Sequence, residues 1–236
     1  MEGHRVAINP RETQRKIKLV LFDFDGTIAD SYQGITASIN HLRAKYGMRP
    51  LTVNDVRPHV GGGAPRLLQR TVPGGTLPED LAEYRLHHET VMRAGTRLYP
   101  EVERTLTVLK SAGVCLGVCS NKPAFVTRQL LDYLEVRSID TLVGPDEQTQ
   151  RKPAPDMLLR AMRTLDVCPA DTIFVGDTVI DIETARNAGV KCWVVTTGSD
   201  TRHDLIQARP ECVLENLSEL IGPILSIASA TVPGAG

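Results

Sequence analysis

The sequence has no surplus of either charge sign. Lysine and arginine together number 27 and aspartate and glutamate 28, so the 236-residue chain has a formal net charge of −1. A balance this close to zero creates no general field that would draw nucleic acid or an anionic lipid surface to the protein. We therefore expect no nucleic-acid partner, and an anionic ligand must be held by a local arrangement of side chains.

Long apolar runs are also missing. No run approaches the about 20 residues that a membrane-spanning helix needs, so no membrane partner is expected. Residues 1–16 are polar and basic and contain no apolar segment of the kind found in secretion signals, which predicts a basic N-terminal arm on a cytoplasmic protein. Residues 229–236 are predicted to form a flexible tail after a last helix.

Cysteine pairs are absent from the sequence pattern. The five cysteines, Cys115, Cys119, Cys168, Cys192 and Cys212, form no CxxC pair, and their number is odd. A strand would hold Cys115 and Cys119 about 13 Å apart, which is too far for a disulfide. The pattern predicts buried thiols in a reducing compartment and argues against a disulfide framework or a zinc site.

Short apolar runs that end in polar clusters recur along the chain. Strands are predicted at 17–22, 114–119, 172–175 and 191–195, with a weaker candidate at 139–143, and helices at 101–112, 125–134, 157–165 and 184–188. This alternation predicts an α/β fold with a Rossmann-like three-layer core, in which helices cover a parallel sheet. Ligands bind at the carboxyl ends of the strands in such sheets, and the polar clusters fall there.

Residues 30–98 break the alternation. Helices are predicted at 31–46 and 78–92, a shorter one is predicted around Leu67 and Leu68, and no convincing strand is found. We therefore predict a small helical cap at 30–98, inserted after the first strand of a core made of residues 17–29 and 99–228. The alternative is that this stretch is part of the core and its strands are not recognisable from the pattern.

Acidic residues follow two of the predicted strands. Asp23 and Asp25 come directly after the first strand, and Asp177 and Asp181 follow the strand at 172–175. Four carboxylates brought together repel one another, and their pKa values rise unless a cation joins them. Oxygen ligands without an HExxH motif, a Cys/His cluster or EF-hand spacing predict a hard divalent ion, with Mg²⁺ preferred.

Polar and basic residues at the same predicted edge suit a phosphoryl group. Phosphoryl transfer needs a nucleophile, for which a carboxylate can serve, a proton donor for the leaving oxygen, and positive charge around the equatorial oxygens. Ser120, Asn121, Lys152 and Gly26 are the candidate phosphate-binding residues. Without the other motifs, a lysine followed by proline, as Lys152 is, would more often be a solvated loop residue.

The motifs together resemble those of the haloacid dehalogenase superfamily of phosphohydrolases. Four stretches match in order and spacing: Asp23-x-Asp25-Gly26-Thr27-x-x-Asp30-Ser31, Ser120, Lys152, and Gly176-Asp177-x-x-x-Asp181. The resemblance runs over residues 18–198. Within the superfamily the chain is most similar to phosphoglycolate phosphatases, through residues 98–100, 120–123 and 152–156.

The resemblance implies a Mg²⁺-dependent phosphatase that acts on a small phosphorylated metabolite. Asp23 would attack phosphorus, and Asp25 would protonate the leaving oxygen and then activate water. Asp23, Asp25 through its main-chain carbonyl, and Asp177 would hold Mg²⁺. Asp181 would be a further ligand, or would orient metal-bound water or Lys152.

Several alternatives stay open at this point. A phosphomutase of the β-phosphoglucomutase type and a pyrophosphatase share much of the pattern. Dehalogenase chemistry is disfavoured because Asp25 and Asp177 are present, and a non-catalytic protein is disfavoured because Asp23 is intact. Arg66 could meet a substrate carboxylate, although a surface position is expected, and Gly61–Gly63 could approach a ligand or form a hinge. We expect a monomer or a homodimer.

Overall fold

The structure is a computed structural model, and it describes residues 16–146 and 149–229. Within these ranges the strands are β1 Leu19–Phe22, β2 Ala29–Asp30, β3 Arg97–Leu98, β4 Cys115–Cys119, β5 Thr141–Val143, β6 Thr172–Gly176, β7 Lys191–Val195 and β8 Cys212–Leu214. The helices are α1 Tyr32–Lys45, α2 Val53–Val56, α3 Ala64–Thr71, α4 Leu77–Val91, α5 Val102–Ser111, α6 Ala124–Tyr133, α7 Asp156–Leu165, α8 Val179–Ala188, α9 Arg202–Gln207 and α10 Ile221–Ser229.

The core is a six-stranded parallel sheet in the order β5-β4-β1-β6-β7-β8. The first strand, β1, lies inside the sheet, where Leu19 pairs with Cys115 of β4 on one side and with Thr172 of β6 on the other. All four residues of β1 are buried, as its continuous apolar run predicts for a strand covered on both faces. This arrangement confirms the predicted α/β class.

Helical layers cover both faces of the sheet. Because successive side chains of a strand point to opposite faces, Val20 and Phe22 join a core cluster with residues of α5 and α6, whereas Leu19 and Leu21 join a second cluster with residues of α7 and α8. The sheet therefore lies between two hydrophobic layers, which is the predicted three-layer architecture.

The helices predicted from periodicity are present, and most differ by one residue at their ends; α8 is the exception, because it begins at Val179, five residues before the predicted start at Thr184. The prediction that no strand occurs in residues 30–98 is wrong at both ends of that range. Ala29 pairs with Leu98, and Asp30 with Arg97, in a short antiparallel ribbon of β2 and β3. Two residues are too few to show the period of two by which strands are recognised.

Helices α1 to α4 bury a hydrophobic cluster of their own. Helix α1 packs against α4, and the cluster is separate from the two clusters of the sheet. Its buried members are Tyr32, Ile35, Ile39, Leu42, Val56, Val60, Leu67, Leu68, Val72 and Tyr84. These helices therefore form a compact layer over the loops at the carboxyl ends of β1 and β4.

The cysteine prediction is correct in part. All five cysteines are free, and Cys119 and Cys192 are buried. Cys168 is exposed and Cys115 and Cys212 are half-buried, so the prediction of buried thiols is wrong for these three, which lie in a loop or at a strand end.

No helix in the described residues is long and apolar enough to cross a membrane. The predicted N-terminal arm, apart from Lys16, and the predicted tail beyond residue 229 lie outside the described residues.

Candidate active site

Three carboxylates from two neighbouring strand ends meet in the protein interior. Asp23 follows β1, Asp177 follows β6, and Asp181 lies in the first turn of α8; each offers an oxygen within 4.8 Å of the other two. All three are buried. The parallel pairing of β1 with β6 produces this meeting, because their carboxyl ends lie side by side at one edge of the sheet.

Asp177 is held on both of its oxygens by the neighbouring loops. The Thr27 hydroxyl donates to Oδ1 at 2.8 Å, and the Ser199 backbone N–H donates to Oδ2 at 2.8 Å. Two glycines make room for it, because a Cβ atom at Gly26 or at Gly198 would overlap the Asp177 carboxylate. Gly26 also has a φ of +88°, a conformation that side-chain-bearing residues rarely adopt. Its observed role is to give Asp177 space; phosphate binding by Gly26 stays a prediction.

Asp181 is satisfied by the start of its own helix and by Lys152. Its Oδ2 accepts from the backbone N–H groups of Thr178 at 3.0 Å and Asp177 at 3.2 Å, and from the Thr178 hydroxyl at 2.6 Å. Its Oδ1 accepts from Lys152 Nζ at 2.6 Å. Asp181 therefore contacts Lys152 directly, as the orienting role predicts, and its carboxylate also belongs to the group of three that could hold a metal ion.

Lys152 bridges two of the carboxylates. Its Nζ lies 2.8 Å from Asp23 Oδ2 and 2.6 Å from Asp181 Oδ1, with 1% of the side chain exposed. Burial works against the charge of Lys152, but the charges of Asp181 and Asp23 more than offset it and raise the pKa of the lysine. Lys152 is therefore a buried cation beside the predicted nucleophile, and the alternative of a solvated loop lysine is wrong.

Of the three clustered carboxylates, Asp23 is the one with an oxygen that has no hydrogen-bond partner among the described residues. Its Oδ2 faces Lys152, whereas its Oδ1 is buried without a hydrogen-bond partner among the described residues. Burial raises the pKa of Asp23 to about 6; Lys152 and the Ser120 hydroxyl lower it, and Asp181 raises it further. Burial, Asp181 and Asp23 likewise raise the pKa of Asp177.

These residues fit a divalent cation. Three carboxylates and one ammonium leave two negative charges uncompensated in a buried site. The donor atoms are all oxygens, as Mg²⁺ and similar hard ions prefer, and Asp23 Oδ1 is a buried oxygen that lacks a partner. A divalent ion held there would also return the raised pKa values toward their usual range.

The side chain of Asp25 does not belong to the acidic cluster. Its Oδ1 accepts from the Ser31 hydroxyl, and its Oδ2 lies 3.2 Å from Lys122 Nζ. As a metal ligand it could therefore serve only through its main chain. Sequence reasoning missed Lys122 as a site residue, although it lies only two positions after Ser120 and therefore at the same strand end.

Asn121 connects the segment that carries helices α1 to α4 to the loop that contains Lys152. Its Nδ2 donates to the Gly61 carbonyl at 2.9 Å, and its Oδ1 accepts from the Lys152 backbone N–H at 2.8 Å. These bonds occupy both ends of the amide side chain. Any contact between Asn121 and a phosphoryl group would therefore use its main chain.

A small cavity of about 60 Å³ lies over Asp23 and Asp25. Ser120 and Lys122 line it from the core, and Gly61, Gly63 and residues of α1, α3 and α4 line it from the helical layer. Arg66 does not line it and is exposed, as expected for a surface residue. The predicted nucleophile thus faces a small cavity that suits a small ligand.

The fold and the site together define a class of enzyme. A parallel sheet carries a buried carboxylate after its first strand, with a buried lysine and further acids at the neighbouring strand ends. Residues 20–195 match the family described as haloacid dehalogenase-like hydrolase. The chain therefore belongs to this family of hydrolases, which confirms the resemblance read from the motifs.

Proteins of known name give a finer comparison. The chain is 32% identical over 224 residues to phosphoglycolate phosphatase 1 of Pseudomonas aeruginosa, an alignment that covers 91% of this chain and 82% of that protein. It is 35% identical over 195 residues to the phosphoglycolate phosphatase of Xylella fastidiosa, covering 79% and 83%. A crystal structure from Bacteroides fragilis, described as haloacid dehalogenase-like, superposes with a TM-score of 0.82 at 30% identity and covers 87% of this chain and 100% of that chain.

Proposed function

We propose that this protein is a Mg²⁺-dependent phosphatase that hydrolyses a small phosphate monoester of the phosphoglycolate type. The observation that carries the proposal is Asp23: one of its oxygens pairs with Lys152, and the other is buried without a described partner beside a small cavity. The names of the similar proteins from Pseudomonas and Xylella support the substrate class.

The first half-reaction transfers the phosphoryl group to Asp23. The free oxygen of Asp23 attacks phosphorus, the bond between phosphorus and the ester oxygen breaks, and Asp25 gives its proton to the leaving alkoxide. Ser120 and Lys152 donate to the phosphoryl oxygens, on which negative charge is spread in the transition state. The products of this step are the alcohol and an aspartyl-phosphate.

The second half-reaction restores the enzyme. Asp25, now a carboxylate, takes a proton from water, and the water oxygen attacks phosphorus. The bond between phosphorus and Asp23 breaks, which releases inorganic phosphate. A divalent ion bound by Asp23, Asp177 and the Asp25 main chain would compensate the negative charge of the phosphoryl group.

Phosphate release tests the proposal directly. We expect the purified protein with Mg²⁺ to release inorganic phosphate from 2-phosphoglycolate, to stop when EDTA is added, and to resume when Mg²⁺ is restored. Failure to release phosphate from 2-phosphoglycolate and from a panel of phosphorylated metabolites would refute it. A hexose phosphate that is isomerised without phosphate release would instead identify a phosphomutase.

A further inference from the structure

Among the described residues that line the cavity over Asp23 and Asp25, Lys122 is the one lysine or arginine. Its side chain is 7% exposed, and its Nζ lies 3.2 Å from Asp25 Oδ2. An ammonium group has three N–H donors, and Asp25 is the one ion-pair partner found for it among the described residues. Lys122 can therefore donate to a ligand while it still contacts Asp25.

A second donor without a described partner faces the same cavity from the helical layer. Tyr84 of α4 lines the cavity and is 6% exposed, and its hydroxyl has no hydrogen-bond partner among the described residues. Burial and the charge of Asp25 raise the pKa of Tyr84, so the hydroxyl keeps its proton. Tyr84 is thus a neutral donor in the lining of the same cavity as Lys122.

His88, one turn after Tyr84, holds that tyrosine in place without adding charge. The two rings stack with their centroids 5.3 Å apart. His88 Nδ1 also lies 3.1 Å from Ser38 Oγ, a contact that ties the imidazole to α1. Burial and the charge of Lys122 lower the pKa of His88 to about 3. The imidazole is neutral and leaves the positive charge of Lys122 in place.

From these contacts we infer that Lys122 and Tyr84 determine substrate specificity by binding a carboxylate on the leaving group. A carboxylate accepts hydrogen bonds from both donors and has the opposite charge to Lys122, whereas a methyl group in its place would leave both donors unpaired. The inference rests on the proposed phosphatase function and names the substrate class for it, namely phosphate monoesters of hydroxy acids. The sequence pattern did not predict this role for Lys122 or Tyr84; it suggested Arg66 as a possible carboxylate partner, with a surface position expected.

The test compares two substrates that differ only in this group. 2-Phosphoglycolate and ethyl phosphate share a two-carbon ester, and only the first has a carboxylate. We expect Lys122→Met to lower the ratio of their kcat/KM values by about tenfold or more, and Tyr84→Phe to lower it by about three- to tenfold. Tyr133→Phe, which changes an exposed tyrosine, is the matched control and should leave the ratio unchanged.

A structural role would give a different result. If Lys122→Met reduced kcat/KM for both substrates by the same factor, Lys122 would act through Asp25 alone and the inference would be wrong. If the unmodified protein released phosphate equally well from both substrates, the inference would fail while the proposed function stood.

Binding separates the inference from the proposed function. In Asp23→Asn protein with Mg²⁺, calorimetry should show tighter binding of 2-phosphoglycolate than of ethyl phosphate, and adding Lys122→Met should remove the difference. That result together with no turnover by the unmodified protein would refute the phosphatase proposal and keep the carboxylate site. Equal binding of the two esters would overturn the carboxylate site.

Discussion

The two sides of the cavity differ in how completely their polar atoms are satisfied. Behind the core side of the cavity, Asp177 and Asp181 have partners on every carboxylate oxygen, and Lys152 is held between two acids. On the core side itself, Asp23 has one oxygen paired with Lys152 and one without a partner among the described residues. On the side of α4, the Tyr84 hydroxyl and His88 Nε2 have no partner among the described residues. A fixed arrangement suits charge stabilisation in a transition state, and unpaired groups suit a ligand that brings the missing partners.

The largest expected effect on activity comes from changing Asp23, whose Oδ1 has no hydrogen-bond partner among the described residues. Asp23→Asn should reduce kcat by at least about a thousandfold, because an amide is a poor nucleophile toward phosphorus. Far-UV circular dichroism should show an unchanged fold, and Asp132→Asn, on the exposed surface, should keep full activity. Full activity in the Asp23→Asn protein would contradict the assignment of the nucleophile.

Breaking the buried ion pairs of Lys152 with Asp23 and Asp181 should reduce the stability of the protein as well as its activity. Lys152→Met leaves Asp23 and Asp181 buried without their shared cation, and loss of one partner of a buried pair typically costs about 3–5 kcal/mol of unfolding free energy. Urea denaturation measures this value. Lys18→Met removes an ion pair with Asp171 in which the lysine is mostly exposed, and should cost less than about 1 kcal/mol. Similar losses for both variants would show that the buried network contributes no special stability.

Mg²⁺ should stabilise the folded protein more at high pH than at low pH. Burial raises the pKa of Asp23 to about 6 in the metal-free folded protein, above its value in the unfolded chain. The contribution of Asp23 to stability is therefore fully present below the unfolded pKa and is lost as the pH rises through about 6. At a hundredfold excess over its Kd, Mg²⁺ should raise Tm at pH 8 by roughly 5–10 °C, and by less at pH 5. Thermal melting of the protein and of Asp177→Asn checks this. An equal shift in the variant would place the ion elsewhere.

The smallest effect is expected at the connection between the two sides. Asn121→Ala removes the bond to the Gly61 carbonyl and the bond from the Lys152 backbone, each worth about 1 kcal/mol. KM should rise several-fold with a smaller change in kcat. Asn187→Ala removes an exposed bond to the Pro153 carbonyl in the same loop and serves as the control. Unchanged kinetics in Asn121→Ala would show that this connection does not affect substrate binding.

The core and its acids could be predicted because their signals are local in the sequence. A buried parallel strand gives a continuous apolar run, as at β1, and the residues after it reach the strand end without further information. The meeting of Asp23 with Asp177 requires in addition that β1 and β6 be neighbours in the sheet, an order that the sequence pattern did not predict. The hydrogen-bond partners of Asp181 could not be predicted, because they depend on the residue at which α8 begins and on the position of Lys152.

The recognition side could not be predicted because it depends on helix orientation. Tyr84 and His88 lie one turn apart on α4, in a segment whose periodicity shows that it is helical but not which neighbours its faces meet. Asn121 shows the same limit, since an asparagine after a strand suggests a phosphate contact and its side chain instead bonds Gly61 and Lys152. Such roles require the tertiary packing of α1, α3 and α4.

The pairing of β2 with β3 has a practical consequence for protein engineering. Ala29 lies opposite Leu98, so the chain leaves the sheet-bearing part and returns to it at adjacent points. A chimera joined at these two positions could exchange the whole intervening segment for that of a homologue without cutting any strand of the six-stranded sheet. Libraries built this way would vary the cavity lining that α1, α3 and α4 contribute, including Tyr84, while Asp23, Lys122 and Lys152 are inherited unchanged.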